Sequence, residues 1–324
     1  MRMTTLGKSG LEVSRIAFGT WQIGGEWGAF DADAAAEAVR HAHDLGVNFF
    51  DTAQAYGSGA SEALLGKALR SQLARDRDSI VIATKGGIAP GEQRPRDAGR
   101  DRLRKGVEES LRALELDHID LYQVHWPDPD TPAEETAGAL QELVDEGKIR
   151  HAGVSNYDAA QLEEFDRTRP VETLQPPYHL FRRAAESDAL PYARAHDIGV
   201  LAYSPLGSGL LTGTLTPEST FADDDWRSQS SAFQGESLKR NLDAVAELAE
   251  FARARNATVS QVALAWVLAQ EGVHVAIVGA RRAKHIEASL AAADLELSAD
   301  DLSQVEAITA RGVQVDGASP EGVA

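Results

Sequence analysis

Short runs of apolar residues alternate along the chain with longer segments in which apolar residues recur every three or four positions. The short runs are typical of buried strands, and the longer segments are typical of helices that pack one face against a sheet. We predict helices such as Asp33–Leu45, Ser61–Arg70 and Arg100–Leu114. The predicted strands are Arg15–Phe18, Phe49–Asp51, Ile80–Thr84, Leu121–His125, His151–Ser155, Thr173–Gln175, Val200–Tyr203 and Ala276–Val278.

Eight alternating strand and helix units favour an α/β fold that closes into a (β/α)8 TIM barrel. No long Gly, Ser or Pro linker divides the chain, so we expect a single domain over residues 1–324. The segment Leu6–Val13 predicts a short hairpin before the first barrel strand. Capping boxes are predicted to open helices at Thr131, Thr258 and Ser298, the first with Pro132 at the first helical position. Additional helices are expected near the C-terminus.

The composition of the chain favours a globular protein and argues against several other classes of protein. The chain is 43% apolar and 25% charged, which is ordinary for a globular protein, and no run approaches the ~18 apolar residues of a membrane span. Fifty acidic residues against 32 basic ones give a net charge of −18, which repels nucleic acids and anionic membranes. The absence of cysteine excludes disulfides, thiolate metal sites and cysteine nucleophiles. With no apolar leader at Met1–Leu6, we expect a cytoplasmic protein.

Polar side chains close three consecutive predicted strands. Asp51, Lys85 and His125 end the second, third and fourth strands, and Tyr56 follows Asp51 by five residues. Strand ends in a barrel meet at one mouth, so the four side chains are expected to converge. Taken singly, each residue has a more common structural role than a catalytic one. An Asp after a strand is usually a turn former, a buried Lys is usually an ion-pair partner, and a buried His is usually a hydrogen-bonded core residue. Together they predict a proton-transfer site in which Tyr56, the neutral acid, is the proton donor.

The chain resembles the aldo-keto reductase family, particularly its bacterial members with long loops over the cofactor. The similarity extends from Leu6 to Arg282 and rests on several motifs in order. These are Gly46-Val47-Asn48-Phe49-Phe50-Asp51-Thr52-Ala53, Gly153-Val154-Ser155-Asn156-Tyr157 and Tyr203-Ser204-Pro205-Leu206. The resemblance implies carbonyl reduction with a nicotinamide cofactor, and a hairpin that plugs the bottom of the barrel. It also implies that Lys85 makes Tyr56 more acidic, that Asp51 holds Lys85, and that His125 orients the substrate oxygen.

The resemblance further implies a cofactor site. Ser155, Asn156 and Gln175 would bind the nicotinamide carboxamide, Tyr203 would stack on its ring, and the loop after the seventh strand would follow the pyrophosphate. The remaining expected contacts are Thr20, Trp21, Ser204, Pro205, Leu206, Gly207, Gly209, Gly279 and His285. The adenine end departs from the family pattern, because His285 and Ala288-Ser289 stand where many members have Gln or Arg and Glu-Asn.

Three arginines favour NADP(H) as the cofactor. Arg281 and Arg282 follow the eighth strand at the start of a helix, and Arg227 lies in the long segment Gly207–Lys239. The 2′-phosphate of NADPH needs cationic partners in so acidic a protein, and arginine grips phosphate oxygens with two bonds. The alternative is that these arginines pair with nearby acids such as Asp225.

Two tryptophans are candidates for the substrate pocket, Trp27 and Trp126, although core packing is an alternative for both. The expected partner is a small carbonyl or alcohol, with no metal site, because the first strand lacks a His-x-His pair at its end. A non-catalytic cofactor-binding subunit, like the potassium-channel β subunits that share this fold and these four residues, is the alternative function. The sequence leaves the oligomeric state and the physiological substrate open.

Overall fold

A computed structural model describes residues 1–25, 28–88, 95–222, 225–228 and 230–315. Eight parallel strands close into a barrel in the order β10-β3-β4-β5-β6-β7-β8-β9, which confirms the predicted fold. The barrel strands are β3 (Ile16–Gly19), β4 (Phe49–Asp51), β5 (Val81–Gly86), β6 (Ile119–Val124), β7 (Ile149–Ser155), β8 (Thr173–Gln175), β9 (Gly199–Ala202) and β10 (Val275–Gly279).

The described residues form ten α-helices around the barrel. They are α1 (Ala32–Asp44), α2 (Ala60–Arg75), α3 (Arg100–Leu114), α4 (Ala133–Asp145), α5 (Ala159–Asp166), α6 (Ala189–Ala195), α7 (Gly235–Arg253), α8 (Val259–Ala269), α9 (Ala283–Leu290) and α10 (Ala299–Thr309). Two helices, α7 and α8, connect β9 to β10, and α10 follows α9 and packs against α7. These are the additional C-terminal helices that the sequence predicts.

The strands separate two hydrophobic layers. On β3, Ile16 and Phe18 belong to the outer layer beneath the helices, whereas Ala17 between them belongs to the layer inside the barrel. This is the alternation that a pleated strand imposes on successive side chains. The inner hydrophobic layer includes Leu6, Val13, Phe49, Val81 and Leu121 and fills the part of the barrel interior below the mouth.

An antiparallel pair, β1 (Met3–Thr5) and β2 (Glu12–Ser14), precedes the barrel. Leu6 and Val13 are fully buried in the inner layer, so the hairpin closes the barrel at the amino ends of its strands. At Gly7 a Cβ would lie 2.4 Å from the Gly199 nitrogen, so only glycine permits this approach. The hairpin is therefore the plug that the sequence predicts.

Helix capping follows the sequence at two of three positions. Thr258 and Ser298 each form a reciprocal capping box, with Gln261 and Asp301 respectively. The prediction at Thr131 is wrong, because α4 begins after Pro132 without a side-chain cap. The Thr131 hydroxyl donates instead to Asp128, a buried carboxylate that also accepts from the Ala98 backbone nitrogen. Within the described part of the chain, no helix combines the length and the apolar character needed to cross a membrane.

Candidate active site

Lys85 lies on β5 with its side chain inside the barrel and is fully buried. Its Nζ donates to Asp51 Oδ1 on β4 at 2.6 Å and to the Thr52 carbonyl at 2.9 Å. Asp51 Oδ2 accepts a further hydrogen bond from Gln175 Nε2 at 3.0 Å, across the barrel. A buried charge is tolerated only when it is paired and hydrogen-bonded, and this cluster meets both conditions.

Tyr56 lies in the short 3-10 turn that follows β4 and is 5% exposed. Its hydroxyl oxygen is 3.4 Å from Lys85 Nζ, so the ammonium faces the phenol directly. The turn is pressed against the loop after β3, because a Cβ at Gly57 would lie 2.1 Å from the Gly24 carbonyl. Gly57 also has a positive φ of 59°, which glycine adopts without strain. The glycine thus fixes the turn that carries Tyr56.

His125 follows β6 directly and is buried. Its ring stands edge-on to Tyr56, with 5.7 Å between the ring centroids. Trp21, after β3, stacks on Tyr56, with 6.2 Å between the ring centroids. The structure therefore brings Asp51, Tyr56, Lys85 and His125 together at the carboxyl ends of three adjacent strands.

A second hydrogen-bonded group lies at the ends of β7, β8 and β9. Ser155 Oγ donates to the Gln175 carbonyl at 2.8 Å, and Asn156 Nδ2 donates to the His125 carbonyl at 3.0 Å. Asn156 Oδ1 accepts from the Tyr203 hydroxyl at 2.8 Å. This network joins the expected carboxamide-binding residues to the Tyr56 cluster through His125 and through Gln175.

The loop after β9 has an unusual backbone. Ser204, Gly207, Ser208 and Gly209 all have positive φ, at 50°, 56°, 53° and 102°. The turn is closed by its own backbone, since the Gly207 nitrogen donates to the Ser204 carbonyl at 2.8 Å and the Gly209 nitrogen to the Leu206 carbonyl at 3.2 Å. Pro205 and Leu206 lie within the same turn. The positive φ angles thus belong to a tight, internally hydrogen-bonded loop at the mouth of the barrel.

Arg227 lies beside this loop but pairs with an acid. Its guanidinium forms an ion pair with Asp225 at 2.6 Å and donates to the Ser208 carbonyl at 3.2 Å. It also lies over the Phe221 ring, 4.4 Å from the centroid. Of the two partners that the sequence left open for Arg227, the structure contains the acid. The arginine is at the same time held beside the turn after β9 through the Ser208 carbonyl.

The segment after β10 forms one wall of an open cleft. Arg281 Nε donates to the Gln22 carbonyl at 3.0 Å, and burial lowers its pKa. Arg282 is exposed at the N-cap of α9. His285, one turn later, is also exposed, and partial desolvation together with Lys284 and Arg282 lowers its pKa. The cleft has a volume of about 540 Å³ and is lined by Ala29, Phe30, Asp31, Ala34, Arg281 and Arg282.

Three other residues expected at the site lie at the carboxyl ends of barrel strands. Thr20 is buried and accepts a hydrogen bond from Ser61, so its side chain supports the loop after β3. Gly279 ends β10 and packs against Gln22.

Trp126 follows His125, and the Arg96 guanidinium lies 5.0 Å from its ring centroid. Trp27 lies outside the described residues. Among those described, no group of three or more acidic or histidine side chains is arranged to hold a metal ion.

Two side chains near the site are absent from the sequence prediction. Gln54, between Asp51 and Tyr56, receives no prediction, yet its backbone N–H donates to the Lys85 carbonyl and its side chain donates to Glu109 on α3. His179 lies under the loop after β9, where a Cβ at Gly207 would be 3.3 Å from its ring. Burial lowers the pKa of His179 to about 3, so the ring is neutral. Both are loop residues, without the periodic pattern that identifies strand positions.

Comparison with known proteins identifies the family. A family model described as the aldo/keto reductase family matches residues 15–310. The chain belongs to the aldo/keto reductase family. Among its relatives, the aldo-keto reductase YhdN of Bacillus subtilis is 42% identical, over all of this chain and 98% of its own length.

Two further relatives show the range of the family. The NADH-specific methylglyoxal reductase of Escherichia coli is 33% identical, over 93% of this chain and 96% of its own length. The structure of the glycerol dehydrogenase of Gluconobacter oxydans aligns with a TM-score of 0.86 and 38% identity, over 100% of this chain and 98% of that one. An aldo/keto reductase of this kind is an oxidoreductase that acts on carbonyls with a nicotinamide cofactor.

Proposed function

We propose that the protein reduces a small aldehyde or ketone to the alcohol with NADPH, and that Tyr56 is the proton donor. The observation that carries the proposal is the buried Lys85, bonded to Asp51 at 2.6 Å and facing the Tyr56 hydroxyl at 3.4 Å. Nothing in barrel packing requires a buried ion pair at this position, since apolar residues of similar volume would fill the space at least as well.

Each side chain has a distinct role in this proposal. When bound, the reduced nicotinamide supplies a hydride to the carbonyl carbon. Tyr56 gives its proton to the carbonyl oxygen as charge develops there. Lys85 stabilises the phenolate that Tyr56 becomes, and Asp51 pairs with Lys85 and aims it at the hydroxyl. His125, edge-on to Tyr56, lies where it can hydrogen-bond the same oxygen and orient it.

The described residues fit a dinucleotide across the barrel mouth. Ser155, Asn156 and Gln175 present amide and hydroxyl groups beside the cluster, and Tyr203 offers a ring for the nicotinamide. Thr20 and Trp21 support the opposite wall. The turn after β9 is the proposed pyrophosphate site, because it lies at the barrel mouth with the Arg227 guanidinium beside it. Gly279 and His285 flank the cleft that begins at Arg281.

The preference for NADPH rests on Arg281 and Arg282, with Arg227 as a weaker candidate because Asp225 already pairs with it. Arg282 is exposed and lines the cleft, where its guanidinium can reach a bound phosphate. One charged hydrogen bond of about 1.5–3 kcal/mol corresponds to roughly a 10- to 150-fold preference. The NADH-specific relative shows that family membership alone leaves the cofactor open.

Carbonyl turnover by wild-type protein and Tyr56→Phe tests the function. We expect NADPH consumption with some members of an aldehyde and ketone panel, and a loss of at least ~100-fold in kcat for Tyr56→Phe with nearly unchanged cofactor binding. Near wild-type kcat in the variant would refute the role of Tyr56. Binding of NADPH without multiple turnovers would instead favour the alternative, a cofactor-binding subunit of the potassium-channel β type.

The pocket and the location of the protein are part of the same proposal. Trp126 beside His125 is the proposed wall for an apolar substrate group, and Trp27 is a second candidate. A small carbonyl or alcohol is the expected partner, in the cytoplasm, with neither nucleic acid nor membrane involved. Aromatic and aliphatic aldehydes of equal size should therefore be compared first in the panel.

A further inference from the structure

The cleft between α1 and α9 contains both signs of charge. Arg281 and Arg282 come from the start of α9, and Asp31 comes from the loop that leads into α1. Phe30, half-buried, forms the apolar part of the wall, and the Arg281 guanidinium lies 5.9 Å from its ring centroid. An aromatic ring can stack on a base, guanidinium groups can bind a phosphate, and a carboxylate can accept from a ribose hydroxyl. The presence of all three in one cleft therefore points to a nucleotide.

Asp31 is held in place by the helix that it caps. Its Oδ1 accepts hydrogen bonds from the backbone nitrogens of Asp33 at 3.0 Å and Ala34 at 3.1 Å. The carboxylate therefore cannot rotate away from the cleft without exposing the first turn of α1. These bonds need only an oxygen acceptor, which asparagine also supplies. The negative charge at this position is therefore dispensable for the cap.

We propose that Asp31 is a specificity-determining residue that weakens binding of a 2′-phosphorylated adenosine relative to an unphosphorylated one. This inference rests on the proposed function, since it assigns the cleft to the adenosine end of the cofactor. A 2′-phosphate held by Arg282 is a dianion in the same cleft as a fixed carboxylate, and like charges repel. The ribose 2′-hydroxyl of NADH carries no charge, so Asp31 adds no comparable repulsion at that position.

Asp31→Asn isolates the charge from the helix cap. Calorimetry with adenosine 2′,5′-bisphosphate and with adenosine 5′-monophosphate measures nucleotide affinity without requiring turnover. We expect Asp31→Asn to raise the affinity for the bisphosphate about 3- to 10-fold at low ionic strength and to leave the affinity for the monophosphate unchanged. The gain should shrink as salt is added, because the cleft is open to solvent.

Asp158→Asn is the matched control. Asp158 also caps a helix, α5, through its side chain, but it does not line the cleft. It should change neither affinity, and both variants should keep the wild-type Tm. The proposal is overturned if Asp31→Asn leaves the bisphosphate affinity unchanged, shifts both nucleotides equally, or has the same effect as Asp158→Asn. Failure of the proposed function would look different, since the unmodified protein would then turn over no carbonyl with either cofactor.

Discussion

Replacing Lys85 with methionine tests the catalytic arrangement most directly. The change keeps a long apolar stem and removes the charge that lies 3.4 Å from the Tyr56 hydroxyl and 2.6 Å from Asp51. At an effective dielectric constant of about 20, a unit charge at that separation favours the phenolate by about 5 kcal/mol. We therefore expect kcat to fall by at least ~100-fold, even though Tyr56 remains in place.

The same change also acts on stability. Asp51 is 3% exposed, and without Lys85 its carboxylate keeps the hydrogen bond from Gln175 but has lost its ion-pair partner. Breaking a buried pair in this way costs about 3–5 kcal/mol, which lowers Tm by several degrees. A drop in activity alone would therefore not separate lost chemistry from lost folding.

The double variant Asp51→Asn/Lys85→Met makes that separation. It removes both charges, so Tm should return toward the wild-type value while kcat stays low. Asp51→Asn alone should reduce kcat less than Lys85→Met does, because Lys85 keeps its bond to the Thr52 carbonyl. Steady-state kinetics on one aldehyde and thermal unfolding of the four proteins are sufficient. A double variant that regained wild-type kcat, or Asp51→Asn more damaging than Lys85→Met, would refute the assigned roles.

Three further changes have clear expected outcomes. Arg282→Ala should raise KM for NADPH roughly 10- to 150-fold and leave KM for NADH nearly unchanged, and equal efficiency with both cofactors in the unmodified protein would contradict this. Between pH 6.5 and about 3, His179 should lower the free energy of unfolding by about 1.4 kcal/mol for each pH unit of acidification, and His179→Gln should remove this loss. The unfolded chain takes up the His179 proton in that window and the folded one does not, so acid unfolding curves that overlay would exclude this role. Thr258→Ala should cost about 0.5–2 kcal/mol in denaturant unfolding, because it removes the cap of α8.

The barrel was predictable because its strands are buried on both faces. A strand covered by helices outside and side chains inside is apolar throughout, and such runs stand out against the amphipathic helices between them. The predicted ends of the strands differ slightly from the observed ones. Strand β5 continues past the predicted end at Thr84 to Gly86, and β6 ends at Val124, one residue before the predicted end at His125. These differences of one or two residues leave the position of the site unchanged.

Side-chain contacts of loop residues were not predictable in the same way. The sequence suggested that Thr131 caps α4, but its hydroxyl donates to the Asp128 carboxylate, three positions earlier. That carboxylate is also held by the Ala98 backbone nitrogen, 30 positions away, which the sequence does not indicate. Gln54 has no sequence signal, because its partner Glu109 is 55 positions away on α3. For Arg227 the sequence left two partners open, and the structure contains the contact with Asp225, two positions earlier.

The inward faces of two neighbouring strands explain why the candidate site could be predicted at all. On β4 the inward side chains are Phe49 and then Asp51, and on β5 they are Val81, Ala83 and then Lys85. Each face is apolar toward the plugged end and becomes charged at the mouth, over a period of two residues. A charge inside a barrel costs stability compared with an apolar side chain, so packing alone would continue the apolar pattern to the end. The register pairs Asp51 with Ala83, and the long Lys85 side chain, one pleat further along β5, reaches back to Asp51 at 2.6 Å. Two breaks in the apolar pattern that meet at the mouth are what a shared site requires and what independent surface substitutions would not produce.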